Sequence, residues 1–186
     1  MGEKSAEANG KPTTPPSVEE LVVQFADRLF RIAYRLTNRA DVAEDLVQEA
    51  FLDAHRNLGQ LRSSDSAFAW LVSILRRRRV KWLKGNARLA TIPLSASDVA
   101  ADTPEPPTVI DQEELALALE RLPDEFREPL VLFYFDEMKY REIAEALETP
   151  IGTVMSRIAR AKAALRSILT DSEERLPTQE VRDGSL

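Results

Sequence analysis

Hydrophobic residues recur at helical spacing in two long stretches of the chain, residues 18–90 and 111–169. The first stretch opens with an apolar face repeated every three or four residues, formed by Leu21, Phe25, Leu29, Ile32, Ala33 and Leu36. The pattern predicts helices over 18–36, 41–58, 67–88, 111–122 and 123–135, and a further pair over 140–166. We therefore expect an all-α protein made of two small helical domains.

The pair of helices over 140–166 has the pattern of a helix-turn-helix unit, with its break at Glu148-Thr149-Pro150. In the second helix one apolar stripe is formed by Ile151, Val154, Ile158, Ala161 and Leu165. The opposite face carries Thr153, Ser156, Arg157 and Arg160, and no acidic residue occurs from 150 to 169. Such a helix suits the major groove of DNA. The alternative is an ordinary solvated helix in a hairpin.

Two earlier helices also carry polar faces. On the helix over 41–58, residues opposite the apolar side form an acidic stripe, Asp41, Glu44, Asp45, Gln48 and Leu52. This stripe is either a solvated face or a docking surface for a basic partner helix.

The helix over 67–88 has a basic face with Trp70 at its edge, formed by Arg77, Lys81, Lys84 and Arg88. That combination suits DNA phosphates and an unstacked base, although a solvated cationic helix has the same pattern. Arg79 falls on the apolar face, so either its side chain snorkels to solvent or the helix bends.

Composition excludes several classes of function. The chain has no cysteine and one histidine, His55, which leaves little for metal binding or nucleophilic catalysis. We find no catalytic constellation, phosphate-binding loop or metal-ligand cluster, and expect neither an enzyme nor a cofactor. No apolar run is long enough for a signal peptide or membrane span, so we expect a cytoplasmic protein without membrane insertion.

The net charge of −6 is unevenly distributed. Residues 61–97 contain eight basic residues and one acidic residue, and residues 98–149 contain four basic and fifteen acidic residues. Long-range repulsion should therefore weaken binding to naked DNA and favour contact assisted by a partner. Polar, proline-containing or acidic segments predict a disordered tail over 1–17, a flexible acidic linker over 91–110 and a C-terminal tail over 170–186.

Four segments in order resemble conserved segments of bacterial sigma factors, most closely the small two-domain extracytoplasmic-function group of the sigma-70 family. They are Asp-Val-Ala-Glu-Asp-Leu-Val-Gln-Glu-Ala-Phe-Leu over 41–52, Phe-Ala-Trp-Leu over 68–71, Leu-Pro-Asp-Glu-Phe-Arg-Glu-Pro-Leu-Val-Leu over 122–132, and Ile-Gly-Thr-Val-Met-Ser-Arg over 151–157. The resemblance implies a region 2 domain over 18–90 and a region 4 domain with the helix-turn-helix over 111–169.

The resemblance also implies roles for the polar faces. Binding to core RNA polymerase, through its β′ clamp and β subunits, would use Asp41, Asp45, Gln48 and Glu49. The minus-ten promoter element would be bound by Arg62, Ser63, Ser64, Trp70, Arg76, Arg77, Lys81 and Lys84. The minus-thirty-five element would be bound by Thr153, Ser156, Arg157 and Arg160. Polymerase would supply the chemistry, and an anti-sigma factor would restrain the protein.

The chain departs from the family pattern at four positions: Arg77 replaces a common Asn, Glu148 a usual turn Gly, Met155 a common Arg or Lys, and Ala159 a frequent aromatic or His. We therefore infer no promoter sequence.

Two other functions compete with promoter recognition by a polymerase subunit. A sigma mimic that titrates an anti-sigma factor does not require the basic groups at 76–79 and at Arg157 and Arg160. A stand-alone helix-turn-helix repressor leaves the acidic stripe, the basic helix and the linker unexplained.

Overall fold

The computed structural model describes residues 16–61, 63–86 and 112–173. Within these ranges the chain forms helices and no strand, which confirms the all-α prediction. The helices are α1 (Val18–Thr37), α2 (Ala40–Arg56), α3 (Ala67–Asn86), α4 (Gln112–Glu120), α5 (Asp124–Tyr134), α6 (Tyr140–Ala146) and α7 (Ile151–Glu173). Two short 3-10 turns, Leu58–Gln60 and Ser64–Ser66, join α2 to α3.

The expected linker over 91–110 lies outside the described residues, as does the expected tail over 1–17 apart from Pro16 and Ser17. At the other end, α7 continues to Glu173, beyond the expected start of the C-terminal tail at residue 170. No glycine or proline interrupts the chain between Gly152 and Pro177, and Ile168 and Leu169 are buried. These two anchors and the absence of a helix breaker explain the longer helix.

The N-terminal half, α1–α3, packs as three helices around an apolar core. All six core positions expected on α1 are buried. Ser17 begins α1 with a capping box, in which its hydroxyl accepts from the N–H of Glu20 and its own N–H donates to the Glu20 carboxylate. On α2 the apolar side is buried, and the acidic stripe of the sequence faces solvent.

The C-terminal half, α4–α7, has an apolar core of its own between α4, α5 and α7. It is formed by Ala118, Leu119, Leu122, Leu130, Ala161, Ile168 and Leu169. The helix-turn-helix unit, α6 and α7, is held on α5 through a second set of buried residues that includes Val131, Ile143 and Val154. These residues are continuous with the core of the N-terminal half.

The two halves therefore pack against each other. Helices α4 and α5 lie on α1, and α6 lies on α3. Arg28 on α1 forms an ion pair of 2.8 Å with Asp136, and Arg35 stacks over the ring of Phe135 at 3.9 Å. Burial raises the pKa of Asp136 by more than Arg28 lowers it.

Within the N-terminal half, an ion pair between Asp53 and Arg78 joins α2 to α3. Arg78 donates to both carboxylate oxygens of Asp53 and, at 3.2 Å, to Glu49. The hydrogen bonds from Arg78 to Asp53 hold the pKa of Asp53 below its ordinary value, and the same hydrogen bonds raise the pKa of Arg78. A bidentate pair of this kind fixes the angle between two helices as well as their distance.

We expect Asp53→Asn to lower the free energy of unfolding by about 1 kcal/mol at pH 7. The folded-state pKa of Asp53 is depressed. The stabilisation is therefore present above the unfolded pKa and is lost as the pH falls through the folded value, so the variant and the original chain should converge in acid.

Both tryptophans, Trp70 and Trp82, lie on α3, so their fluorescence during urea unfolding at pH 7 and in acid reports on the N-terminal half. Glu44→Gln, at an exposed position on α2, is the matched control and should leave the urea midpoint unchanged. An Asp53→Asn deficit of the same size at both pH values would contradict the assignment.

Candidate nucleic-acid interface

The helix-turn-helix unit is closed by a Schellman motif at the end of α6. The N–H of Thr149 donates to the carbonyl of Ala144 at 3.0 Å, and the N–H of Glu148 donates to that of Glu145 at 3.2 Å. This motif places Glu148 in the left-handed region, with φ of 51°. Glycine is the usual residue there, because a side chain in this conformation costs about 1–2 kcal/mol. The turn therefore forms at a local conformational cost.

Helix α7 packs by the stripe that the sequence predicted, with one exception. Val154, Ile158 and Ala161 are buried and Leu165 is half-buried, whereas Ile151 is 48% exposed. Ile151 is the first residue of the helix. The prediction of a core role for Ile151 is therefore wrong.

The opposite face of α7 is open to solvent over much of its length. Ser156 and Arg160 are exposed, and Thr153 and Arg157 are half-buried. The hydroxyl of Ser156 donates to the carbonyl of Thr153 at 3.0 Å, and Arg157 forms a 3.6 Å ion pair with the exposed Glu125 of α5. The structure thus brings the four predicted residues together on one face, with Arg160 the most accessible cation of the set.

On α2, the predicted docking residues Asp41, Asp45, Gln48 and Glu49 are all exposed. Arg39 donates to Asp41, and this hydrogen bond lowers the pKa of that carboxyl. Glu49 is paired with Arg78 at 3.2 Å. The carboxylate of Asp45 has no ion pair among the described residues.

The predicted minus-ten residues lie on the turn before α3 and along α3 itself. Ser63 and Ser64 are exposed, and the Ser63 hydroxyl caps the 3-10 turn by accepting from the N–H of Ser66. Arg62 lies outside the described residues. Trp70 is half-buried, and Lys81 and Lys84 are exposed further along α3. The arrangement gives a cationic helix with an aromatic ring near its beginning, as expected.

The structure departs from that expectation at the arginines in the middle of α3, which are paired with carboxylates of the C-terminal half. Arg76 donates to Glu128 at 3.1 Å, and Arg77 donates to Glu148 at 3.3 Å. Glu148 directly follows the end of α6, which packs on α3, and Glu128 lies on α5. Two of the predicted DNA-binding cations are therefore already engaged.

Arg79 is 1% exposed and is the largest fully buried side chain of the described residues. It does not snorkel to solvent. Instead, its guanidinium donates to Glu128 at 2.9 Å and to Asp124, both on α5. Burial alone would raise the pKa of Asp124. The cations of Arg79 and Arg127 together have the larger effect, so the pKa of Asp124 lies below its ordinary value. The Nε–H of Arg79 is buried without an acceptor among the described residues.

Sequence reasoning did not find Glu128 and Asp124 as partners of α3. The available signal was Arg79 itself, because a guanidinium on an apolar stripe requires a buried anion when it cannot reach water. Glu128 gave no signal of its own, because it is one of many acidic residues in that part of the chain.

The described residues contain no group of histidine, cysteine and acidic side chains that could hold a metal ion. None of the helices in this part of the chain combines the length and the apolar character that crossing a lipid bilayer requires.

Family models match most of the helical part of the chain. The model described as "Sigma-70 region 2" matches residues 21–89, and the model described as "Sigma-70, region 4" matches residues 112–165. The first match covers most of α1 and all of α2 and α3, and the second covers α4–α6 and most of α7.

Curated relatives carry the same family name. The chain is 35% identical to the ECF RNA polymerase sigma factor SigE of Mycolicibacterium smegmatis, over 88% of this chain and 65% of that protein. It is 30% identical to the ECF RNA polymerase sigma factor SigW of Bacillus subtilis, over 82% of this chain and 88% of that protein. It is 31% identical to the ECF RNA polymerase sigma-E factor of Escherichia coli, over 78% of this chain and 82% of that protein. The chain therefore spans just under two thirds of the SigE relative and most of the other two.

Among solved structures, the sigma factor RpoE of Bartonella quintana, in complex with the anti-sigma factor NepR, superposes with a TM-score of 0.67. It is 25% identical and covers 82% of this chain and 96% of that one. CnrH, in complex with the cytosolic domain of CnrY, gives a TM-score of 0.62 at 23% identity and shows the same fold. The region 2 and region 4 matches, the curated relatives and the shared fold agree: the chain belongs to the extracytoplasmic-function sigma factors of the sigma-70 family.

Proposed function

We propose that the chain is a promoter-specificity subunit of bacterial RNA polymerase. It binds core polymerase, directs recognition of the minus-ten and minus-thirty-five elements, and so permits transcription initiation. The observation that carries this proposal is the exposed polar face of α7, held on a helix-turn-helix in a chain whose α2 presents a separate, exposed acidic face. Family membership supports it, since the curated relatives are named RNA polymerase sigma factors.

The minus-thirty-five element is assigned to the polar face of α7. Its hydroxyl and guanidinium groups, on Thr153, Ser156, Arg157 and Arg160, are the donors and acceptors that read base edges in a major groove. The first turn of α7 carries no acidic side chain, so the partial positive charge of the helix start also favours phosphate there. The minus-ten element is assigned to the turn and basic face of α3, where stacking on Trp70 would hold an unstacked base.

Core binding is assigned to the acidic face of α2. Asp41, Asp45, Gln48 and Glu49 present carboxylates and an amide that complement a basic helix on the β′ clamp, with further contacts to the β subunit. In this role the chain performs no catalysis of its own, works in the cytoplasm where polymerase is found, and needs no cofactor.

An anti-sigma factor is the proposed regulatory partner. The solved relatives RpoE and CnrH are each described in complex with a second protein, NepR and CnrY, and NepR is named an anti-sigma factor. Such a partner would explain how a polymerase subunit of this type is kept inactive until its signal arrives.

The direct test is run-off transcription by purified core polymerase on a genomic DNA library, with and without the chain. New discrete start sites are expected, and their aligned upstream sequences would give both promoter elements. Tight binding to an anti-sigma domain without new starts would instead identify a decoy. Specific duplex binding without core binding would identify a repressor.

Arg160→Ala is expected to weaken promoter binding by the holoenzyme by about 1–3 kcal/mol, the typical discrimination of one base-reading side chain. Arg157→Ala should have a loss in the same range, although its pairing with Glu125 competes with DNA. Lys162→Ala is the control, because it removes the same charge from an exposed position about 160° around α7 from Arg160. Equal promoter affinities for all three variants, measured by filter binding, would reject α7 as the reader.

Asp45→Arg is expected to impair association with core polymerase and leave the fold intact, because it places a cation against a basic partner surface. Asp27→Arg makes the same charge change at an exposed position on α1 and serves as the control. Co-migration with core on gel filtration provides the measurement, and circular dichroism checks the fold. Normal core association by Asp45→Arg would remove the docking assignment.

A further inference from the structure

The arginines of the proposed minus-ten surface of α3 are paired with carboxylates of the chain's own C-terminal half. Six residues form this arginine–carboxylate cluster: Arg76, Arg77 and Arg79 of α3 with Asp124, Glu128 and Glu148. Glu128 bridges two of the arginines, since its two oxygens accept from Arg76 and Arg79 respectively. Each of these guanidinium groups therefore contacts an anion at the distance at which it would contact a DNA phosphate.

The end of α6 forms one wall of a groove beside the cluster. The groove is lined by the turn before α3, by Trp70, Ser73 and Arg77 of α3, and by Glu145 and Glu148 at the end of α6. The aromatic ring and the arginine are the groups that a single strand would use for stacking and for phosphate contact. Two glutamates on the opposite wall repel the phosphates of any strand that enters.

The backbone conformation of Glu148 is unfavourable for a residue with a side chain. Glu148 occupies the left-handed position of the Schellman motif, where glycine would relieve the backbone, and its carboxylate is the partner of Arg77. A glycine would keep the turn and lose this ion pair. The residue is thus locally unfavourable for the turn and favourable for covering α3.

The buried ion pairs of the cluster allow α5 to separate from α3 with little loss of stability. Arg79 has a buried Nε–H with no acceptor among the described residues, and its two carboxylate partners are both supplied by α5. Buried ion pairs of this kind specify how surfaces meet, whereas their net contribution to stability is small because desolvation offsets the attraction. Separation of the halves would hydrate the buried groups of the cluster, Arg79 and Glu128, and would let water accept from the Nε–H of Arg79.

We propose that the arginine–carboxylate cluster is an intramolecular block: Glu128 and Glu148 pair with Arg76 and Arg77, the phosphate-binding arginines of α3, and this pairing weakens binding of the minus-ten strand by the free chain until α5 and α6 leave α3. The block rests on the proposed minus-ten role of α3. It explains how a chain with a strongly basic helix is kept from binding nucleic acid before it reaches polymerase.

The test measures binding of the free, full chain to a short fluorescein-labelled single-stranded DNA of random sequence, by anisotropy at low ionic strength. Glu148→Gln should bind about two- to fivefold more tightly than the original chain, because one exposed ion pair no longer competes with phosphate. Glu128→Gln combined with Glu148→Gln should increase the gain to about tenfold. Adding Arg77→Ala to Glu148→Gln should remove most of the single-variant gain.

Glu120→Gln is the matched control, because it removes the same charge from an exposed position on α4, outside the cluster. It should remain within about twofold of the original chain, which separates release of the block from a general decrease in negative charge. Circular dichroism and tryptophan fluorescence establish that each variant is folded. If the double variant does not fold, Glu148→Gln alone decides, since its side chain lies at an exposed turn.

Affinities for Glu148→Gln and the double variant equal to that of Glu120→Gln would overturn the block. Run-off transcription with core polymerase separates this failure from failure of the proposed function. New start sites with the original chain, together with unchanged single-strand binding by the variants, would leave the sigma function standing and reject only the block. Absence of start sites with the original chain and with every variant would reject the function on which the block depends.

Discussion

The relative placement of the two halves depends on how the charge of Arg79 is neutralised. A guanidinium removed from water requires anions and fixed hydrogen-bond geometry, and both come from α5. Small shifts of α5 along α3 would break these bonds without giving the groups access to water. The contact between the halves therefore favours two discrete states, closed with the ions paired or separated with the ions hydrated, over a continuum of sliding arrangements.

Four consecutive arginines, residues 76–79, show how α3 joins the two halves of the molecule. Successive side chains on a helix point about 100° apart, so a run of four reaches every side of it. Arg78 turns towards α2, where Asp53 and Glu49 receive it, while its three neighbours reach carboxylates of the C-terminal half. One short basic segment thus provides both the internal bracing of the N-terminal half and the contact with the C-terminal half.

Apolar periodicity predicted the helices, the core of α1 and the exposed face of α2, because those features depend on neighbours three and four residues away. It was wrong for Ile151, because periodicity alone does not show whether a partner covers the first residue of a helix. The four residues predicted to read DNA on α7 share one face for the same local reason. The pairing of Arg76, Arg77 and Arg79 was not predictable, since it joins positions 45 to 71 residues apart. Charge segregation along the sequence showed opposite blocks but not that they would meet.

Glu148 couples two properties that most proteins vary separately. At this single position the best residue for turn stability is glycine, and the best residue for the contact with Arg77 carries a carboxylate. A mutation to glycine that stabilises the helix-turn-helix would therefore weaken the contact between the two halves. Selection for heat resistance of such a chain would then also change how readily its two halves separate. A thermostabilised variant obtained in the laboratory should be tested for loss of the contact between the halves before it is used as a neutral scaffold.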